Sequence, residues 1–249
     1  MNLAKTIEEE YENIQADTLQ ELQSKSSDKI VSNLLEKCIE FVESKRTDGA
    51  FSSHGRYFHA LDIVRKEEYT AEDILAFSVF LTDLSKSILM YKFSVIGLFC
   101  SALISAHYEK TNREKNVENK KAQMYHLWTV DHKQKMNELC FKNNGPHVTI
   151  TGNVGNNFAM WMNDGEIHLH GNAETYAGSA MSGGKIYLES CMRNLGNSMS
   201  GGEIIVNHAG ESVGSFQWGG KIEIQKTYKT IETLRNSKGE IYFQGKRIK

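Results

Sequence analysis

Apolar and polar residues alternate in five short segments of the C-terminal part of the chain, and each segment opens on a glycine. They are Gly165-Glu-Ile-His-Leu169, Gly184-Lys-Ile-Tyr-Leu188, Gly202-Glu-Ile-Ile-Val206, Gly220-Lys-Ile-Glu-Ile224 and Gly239-Glu-Ile-Tyr-Phe243. The anchor glycines follow one another at intervals of 19, 18, 18 and 19 residues. Alternation with a period of two is the signature of a strand. It turns Ile167, Ile186, Ile204, Ile222 and Ile241 inward, together with Leu169, Leu188, Val206, Ile224 and Phe243. A unit this short cannot bury its own apolar face and must stack on copies of itself, which defines a solenoid. Pro146-His147-Val148-Thr149-Ile150 fits as an earlier copy, giving about six coils at roughly 4.8 Å per rung.

The outward position after the anchor reads His147, Glu166, Lys185, Glu203, Lys221, Glu240. In a parallel stack these side chains lie above one another, and alternating sign makes neighbours attract. Six positions before the anchor come small residues, Ala159, Gly178, Gly196 and Gly214, with Thr233 as the last member. Three before it come Met162, Met181 and Met199, then Gln217 and Asn236. Small residues allow a tight corner, and methionine fills the space that remains.

The runs Gly178-Ser-Ala-Met-Ser-Gly-Gly-Lys-Ile186 and Gly196-Asn-Ser-Met-Ser-Gly-Gly-Glu-Ile204 resemble the G-x-x-M-x-G-G-x-I repeats of the GXGXG domain family. That family supplies the C subunit of formylmethanofuran dehydrogenase and the C-terminal domain of the glutamate synthase large subunit. The resemblance covers residues 145–249 and departs from the pattern at both ends, where Ala159 and Thr233 replace the corner glycine. It implies a short right-handed parallel β-helix with a structural role, packed between domains or subunits that carry the chemistry. It transfers no catalytic residue, because the motif holds only turn and core positions.

The first 141 residues read as an all-α domain. Ser27-Asp28 caps a helix carrying Ile30, Leu34, Leu35, Cys38, Ile39 and Val42, with Gly49 as its stop. Thr70-Ala-Glu-Asp73 is a capping box that leads into Ile74, Leu75, Phe77, Phe80, Leu81 and Leu84. Phe93 to Ala106 is apolar but shorter than the roughly 20 residues a bilayer requires, and reads as a central core helix. Residues 109–121 are a charged stretch, either an exposed helix or a linker. Residues 122–141, with Met124, Leu127, Trp128, Met136, Leu139 and Cys140, read as a helix that caps the first coil.

Composition narrows the function classes. Residues 1–108 hold 11 basic and 17 acidic side chains and residues 146–249 hold 10 and 9, so no basic excess points to nucleic acid. Met1 to Glu12 carries four glutamates and no apolar core, unlike a secretory signal. Cys38, Cys100, Cys140 and Cys191 are dispersed without a C-x-x-C pair, which suits free thiols in a reduced, cytoplasmic protein. No G-x-S-x-G, G-x-G-x-x-G or G-x-x-x-x-G-K-[ST] motif occurs, so neither a serine nucleophile nor a nucleotide cofactor is expected.

Two clusters remain as candidates for chemistry. Glu166, His168 and His170 share the outer face of one strand, a spacing that can chelate a metal. His54, Arg56, Tyr57 and His59 make a polar cluster around Gly55, read either as a ligand-binding loop or as a plain turn between helices. Three functions follow: a non-catalytic scaffold that binds a protein partner or a second copy, a carbohydrate-binding β-helix, and an enzyme whose site lies in the helical domain. The scaffold predicts an exposed apolar patch. The glycan reading predicts aromatics near carboxylates on one face, and the outward row His168, Tyr187, Ile205, Glu223, Tyr242 is its best candidate. Trp161 and Phe216, four before the anchor, suit either an outer face or the core.

Overall fold

The computed structural model describes residues 28–44, 52–87, 93–114, 123–130, 132–231 and 238–249. Among them, four helices precede a parallel β-solenoid of about six turns spanning residues 124–243. The helices are α1 (Asp28–Glu43), α2 (Ser53–Val64), α3 (Ala71–Ser87) and α4 (Ile96–Glu114). The strands are β1 (Met124–Thr129), β2 (Asn144–Gly152), β3 (Asp164–Thr175), β4 (Lys185–Arg193), β5 (Glu203–Glu211), β6 (Lys221–Tyr228), β7 (Glu240–Phe243) and β8 (Lys246–Arg247). They form one sheet in chain order, with β1 to β7 parallel and β8 folded back antiparallel on β7.

The repeat stacks as its spacing requires. Glu166 pairs with Lys185, Lys185 with Glu203, Glu203 with Lys221 and Lys221 with Glu240. Ile167, Ile186, Ile204, Ile222 and Ile241 are fully buried, and Leu169, Leu188, Val206 and Ile224 are buried beside them, while Phe243 is half-buried. Met162, Met181 and Met199 each place Cε against the anchor glycine of the next coil, so a Cβ on Gly184, Gly202 or Gly220 would lie 2.5–2.6 Å from it. Where an interval is 19, the extra residue leaves the ladder at a bulge. Pairing passes from Leu169↔Leu188 to Asn172↔Ser190, and from Val206↔Ile224 to His208↔Thr227.

The helices follow their caps and apolar stripes. On α1, Val31, Leu34, Cys38, Phe41 and Val42 face the core, whereas Ile39 is exposed. Its expected cap Ser27 and stop Gly49 lie outside the described residues. The capping box of α3 forms as expected: the Asp73 amide donates to Thr70 Oγ1 (3.2 Å) and the Thr70 amide to Asp73 Oδ2 (2.9 Å). α4 carries the apolar run expected as a central helix, with Ile96, Leu98, Phe99 and Leu103 fully buried. It continues through residues 109–114 of the charged stretch. No helix among the described residues is long and apolar enough to cross a membrane.

One element differs in kind from the sequence reading. The capping helix over 122–141 is absent; β1 occupies Met124–Thr129 and is a further, earlier coil, so the solenoid begins about 20 residues before Gly145. Tyr125 and Leu127 point inward by strand alternation, and Met136, Leu139, Cys140 and Phe141 are buried in the corner that follows. The capping role falls to α3. The Trp128 amide at the free edge of β1 donates to Ser78 Oγ at 2.8 Å, and His132 Nε2 meets the Ser78 carbonyl at 3.1 Å. At the other end, β8 and the Ile241 amide, which donates to the Lys249 carbonyl at 3.1 Å, close the last rung.

Candidate interaction surface

Each corner among the described residues has alternate residues in the left-handed conformation. The positive φ values fall at Asn157, Ala159 and Trp161, then at Tyr176, Gly178 and Ala180, Asn194, Gly196 and Ser198, and Ser212, Gly214 and Phe216; Glu138, Cys140 and Lys142 make the first such corner. Left-handed backbone costs an L-residue roughly 1–2 kcal/mol, and cross-coil hydrogen bonds offset it. The Asn157 and Trp161 amides donate forward to the Thr175 and Ser179 carbonyls (2.8 and 2.9 Å), while the Ala159 amide donates back to Leu139 (2.9 Å). The middle residue points inward: a Cβ on Gly196 would lie 2.7 Å from Ile222 Cδ1. The flanking residues point outward, which leaves Trp161 and Tyr176 39% exposed, Phe216 60% exposed and, two residues on, Trp218 60% exposed.

The helical layer reaches this ridge through α2. The His54 cluster is neither loop nor turn; it is the first half of that helix, because Ser52 caps it and accepts a hydrogen bond from the Gly55 amide (3.3 Å). The structure separates its four members. His54 packs edge-on against Trp161, with ring centroids 4.2 Å apart, and against Phe141 at 5.5 Å. Burial and the Lys142 ammonium lower its pKa. Arg56 lies 3.9 Å from the buried Glu138 carboxylate, which also accepts a hydrogen bond from Ser53 Oγ. Tyr57 is buried against Phe141 with its pKa raised by burial, and His59 packs on Phe41. His54, Arg56 and Tyr57 fasten α2 to the first corners of the solenoid, His59 packs within the helical layer, and the four do not converge on one point.

Beside this joint, α2, α4 and the first two coils enclose a cleft of about 460 Å³. Tyr57, Phe58, Leu61 and Arg65 line it from one side, Ser105, Tyr108, Glu109 and Asn112 from the second, and Lys142, Asn144, Pro146 and Asn163 from the solenoid. Arg65 and Glu109 neutralise one another across it at 2.7 Å. Lys142 Nζ stands 5.1 Å above the Phe58 ring and 6.0 Å from that of Trp161. Gly145 is favoured as glycine by its φ of 111°, and the Tyr108 hydroxyl would lie 2.5 Å from a Cβ there.

On the outer strand face the charged positions pair along the stack. Glu203 bridges Lys185 (3.3 Å) and Lys221 (3.1 Å); burial pushes its pKa up, but the hydrogen bonds from both lysines outweigh that and hold it below the usual value. Glu166 pairs with His168 at 2.6 Å, and the His168 ring stacks on Tyr187 at 4.4 Å. Glu166, His168 and His170 do not form a metal centre, since no three His, Cys, Asp or Glu among the described residues stand where one ion would reach them. Strand alternation puts all three on one face, but the imidazole of His168 turns sideways to the carboxylate and the next ring. All four cysteines are buried free thiols. Burial raises each pKa, to about 12 for Cys100 and about 11 for Cys191. Comparison with protein families, curated proteins and solved structures returns no match.

Proposed function

We propose that this chain is a non-catalytic scaffold that holds a protein partner, or a second copy of itself, against the corner ridge of its solenoid, in the manner of the β-helices of the GXGXG family it resembles. The observation that carries the reading is the pair Phe216 and Trp218, each 60% exposed at one corner, with Trp161 and Tyr176, each 39% exposed, at earlier corners of the same ridge. Exposed aromatic side chains on rigid elements are where protein interfaces concentrate their binding energy. The solenoid presents them on a backbone fixed by cross-coil hydrogen bonds, so little ordering is required on association. The glycan reading has less support, because the outer rings it needs are covered: His168 stacks on Tyr187, and Lys221 Nζ lies 5.0 Å over Tyr242.

The test is purification of the tagged full chain from its native host at endogenous level, with the stoichiometry of co-purifying chains measured by mass spectrometry and the free protein sized by sedimentation. Recovery of one partner near one to one, or a stable dimer, is expected. The double substitution Phe216→Ser and Trp218→Ser abolishes it while leaving the melting temperature within a few degrees. A monomer recovered alone, or a partner that survives the double substitution, refutes the ridge as the interface.

A further inference from the structure

We propose that the cleft between α2, α4 and the first two coils binds a small organic carboxylate, with the carboxyl group on Lys142 and an apolar body against Phe58, Leu61 and Pro146. The inference does not rest on the scaffold reading: the cleft lining shares no residue with Phe216 and Trp218 and meets the ridge only where Lys142 approaches Trp161. Its volume of about 460 Å³ falls within the range of small-molecule sites. Its charge is uneven. The Arg65–Glu109 pair cancels, and Lys142 has no carboxylate partner among the described residues, so the cleft carries one uncompensated ammonium.

The backbone that carries the ammonium is fixed. Lys142 sits at a corner with φ 56°, its amide donating to the Met160 carbonyl at 2.9 Å, and its Nζ stands 5.1 Å from the centre of the Phe58 ring and 6.0 Å from that of Trp161. A second donor stands on the same wall. Asn163 Oδ1 accepts a hydrogen bond from Ser182 Oγ at 2.6 Å, which orients the amide so that Nδ2 is left to donate. An ammonium and an amide N–H₂ lining one cleft supply the kind of donors that the two oxygens of a carboxylate take. They supply too few donors for a phosphate dianion, which natural sites meet with arginine forks or helix termini. Phe58 is 48% exposed although Lys142 Nζ stands over its ring, and with Leu61 and Pro146 it supplies apolar lining beside the charge.

The probe is sodium benzoate, titrated into the full-length protein and followed by amide NMR, with benzyl alcohol as the uncharged counterpart and inorganic phosphate as the competing anion. Saturable shifts at Phe58, Lys142 and Asn163 are expected. Benzyl alcohol and Lys142→Gln each weaken binding about tenfold or more, the size of one hydrogen bond to a charged group, and Lys142→Arg retains it. Should Lys142→Gln fail to fold, Phe58→Ala takes its place and is expected to weaken benzoate without altering the salt dependence. Non-saturable shifts, equal binding of benzyl alcohol, unchanged affinity in Lys142→Gln, or phosphate binding more tightly than benzoate would each overturn the proposal.

Discussion

Each described corner of the solenoid places a left-handed residue at its middle position; the first holds Cys140, and the residues at the later ones record how each coil met a tighter fit. Gly178, Gly196 and Gly214 meet it without strain, whereas Ala159 accepts φ 52° and remains fully buried. The two solutions make opposite predictions. Gly196→Ala adds left-handed strain and drives a methyl group towards Ile222 Cδ1, 2.7 Å away, and should cost about 2–4 kcal/mol in urea unfolding. Ala159→Gly gives up a buried methyl worth about 0.8 kcal/mol but relieves strain of similar size, and should change stability by less than about 1 kcal/mol. A Gly196→Ala protein as stable as the parent would mean that the corner relaxes and that the glycine is not required. Among the flanking left-handed positions only Asn157 and Asn194 carry a residue that favours positive φ; lysine, tryptophan, tyrosine and phenylalanine stand at others and do not signal it, so the pattern was illegible in the sequence.

An edge strand of a solenoid needs a cover, and here a helix from outside the repeat provides it. Ser78 of α3 is fully buried and its Oγ accepts the Trp128 amide of β1. Ser78→Ala strands that N–H under the helix, with an expected loss of about 1–3 kcal/mol and much faster hydrogen exchange at Trp128; unchanged exchange there would show that α3 does not protect the edge. The repeat from Gly165 onward is legible because glycine, alternation and spacing agree. β1 escapes the same reading for two reasons. Gln123 stands where the anchor glycine would be, and Met124, Leu127 and Trp128 fall at helical spacing while the inward pair is Tyr125 and Leu127. The His54 cluster misleads similarly, since Gly55 suggests a turn and the Ser52 cap outweighs it.

One apolar cluster runs without a break from Leu34 in α1 to Ile241 in the last parallel rung, so helices and solenoid share a core. Three buried thiols, Cys38, Cys100 and Cys140, belong to its helical end, and Cys191 to the coils. Because burial raises each thiol pKa, the stabilisation is fully present below the unfolded value near pH 9. It is lost as pH rises towards the folded values, about 11 for Cys191 and about 12 for Cys100. Each thiol contributes about 1.4 kcal/mol per pH unit across that window. The whole chain should therefore unfold in one transition whose urea midpoint holds up to about pH 9 and falls between pH 9 and pH 11, with no thiol labelled natively at pH 8. Two separate transitions, or a midpoint indifferent to pH, would show that the two layers are independent or the thiols accessible. The bulges near Gly171 and Gln225 carry a different consequence. They absorb a residue while Ile167–Ile186 and Ile222–Ile241 stay aligned, so coil length and core registration are decoupled at that one bend. The chain can lengthen there, coil by coil, and so reshape its outline while every rung beneath it keeps the same partner.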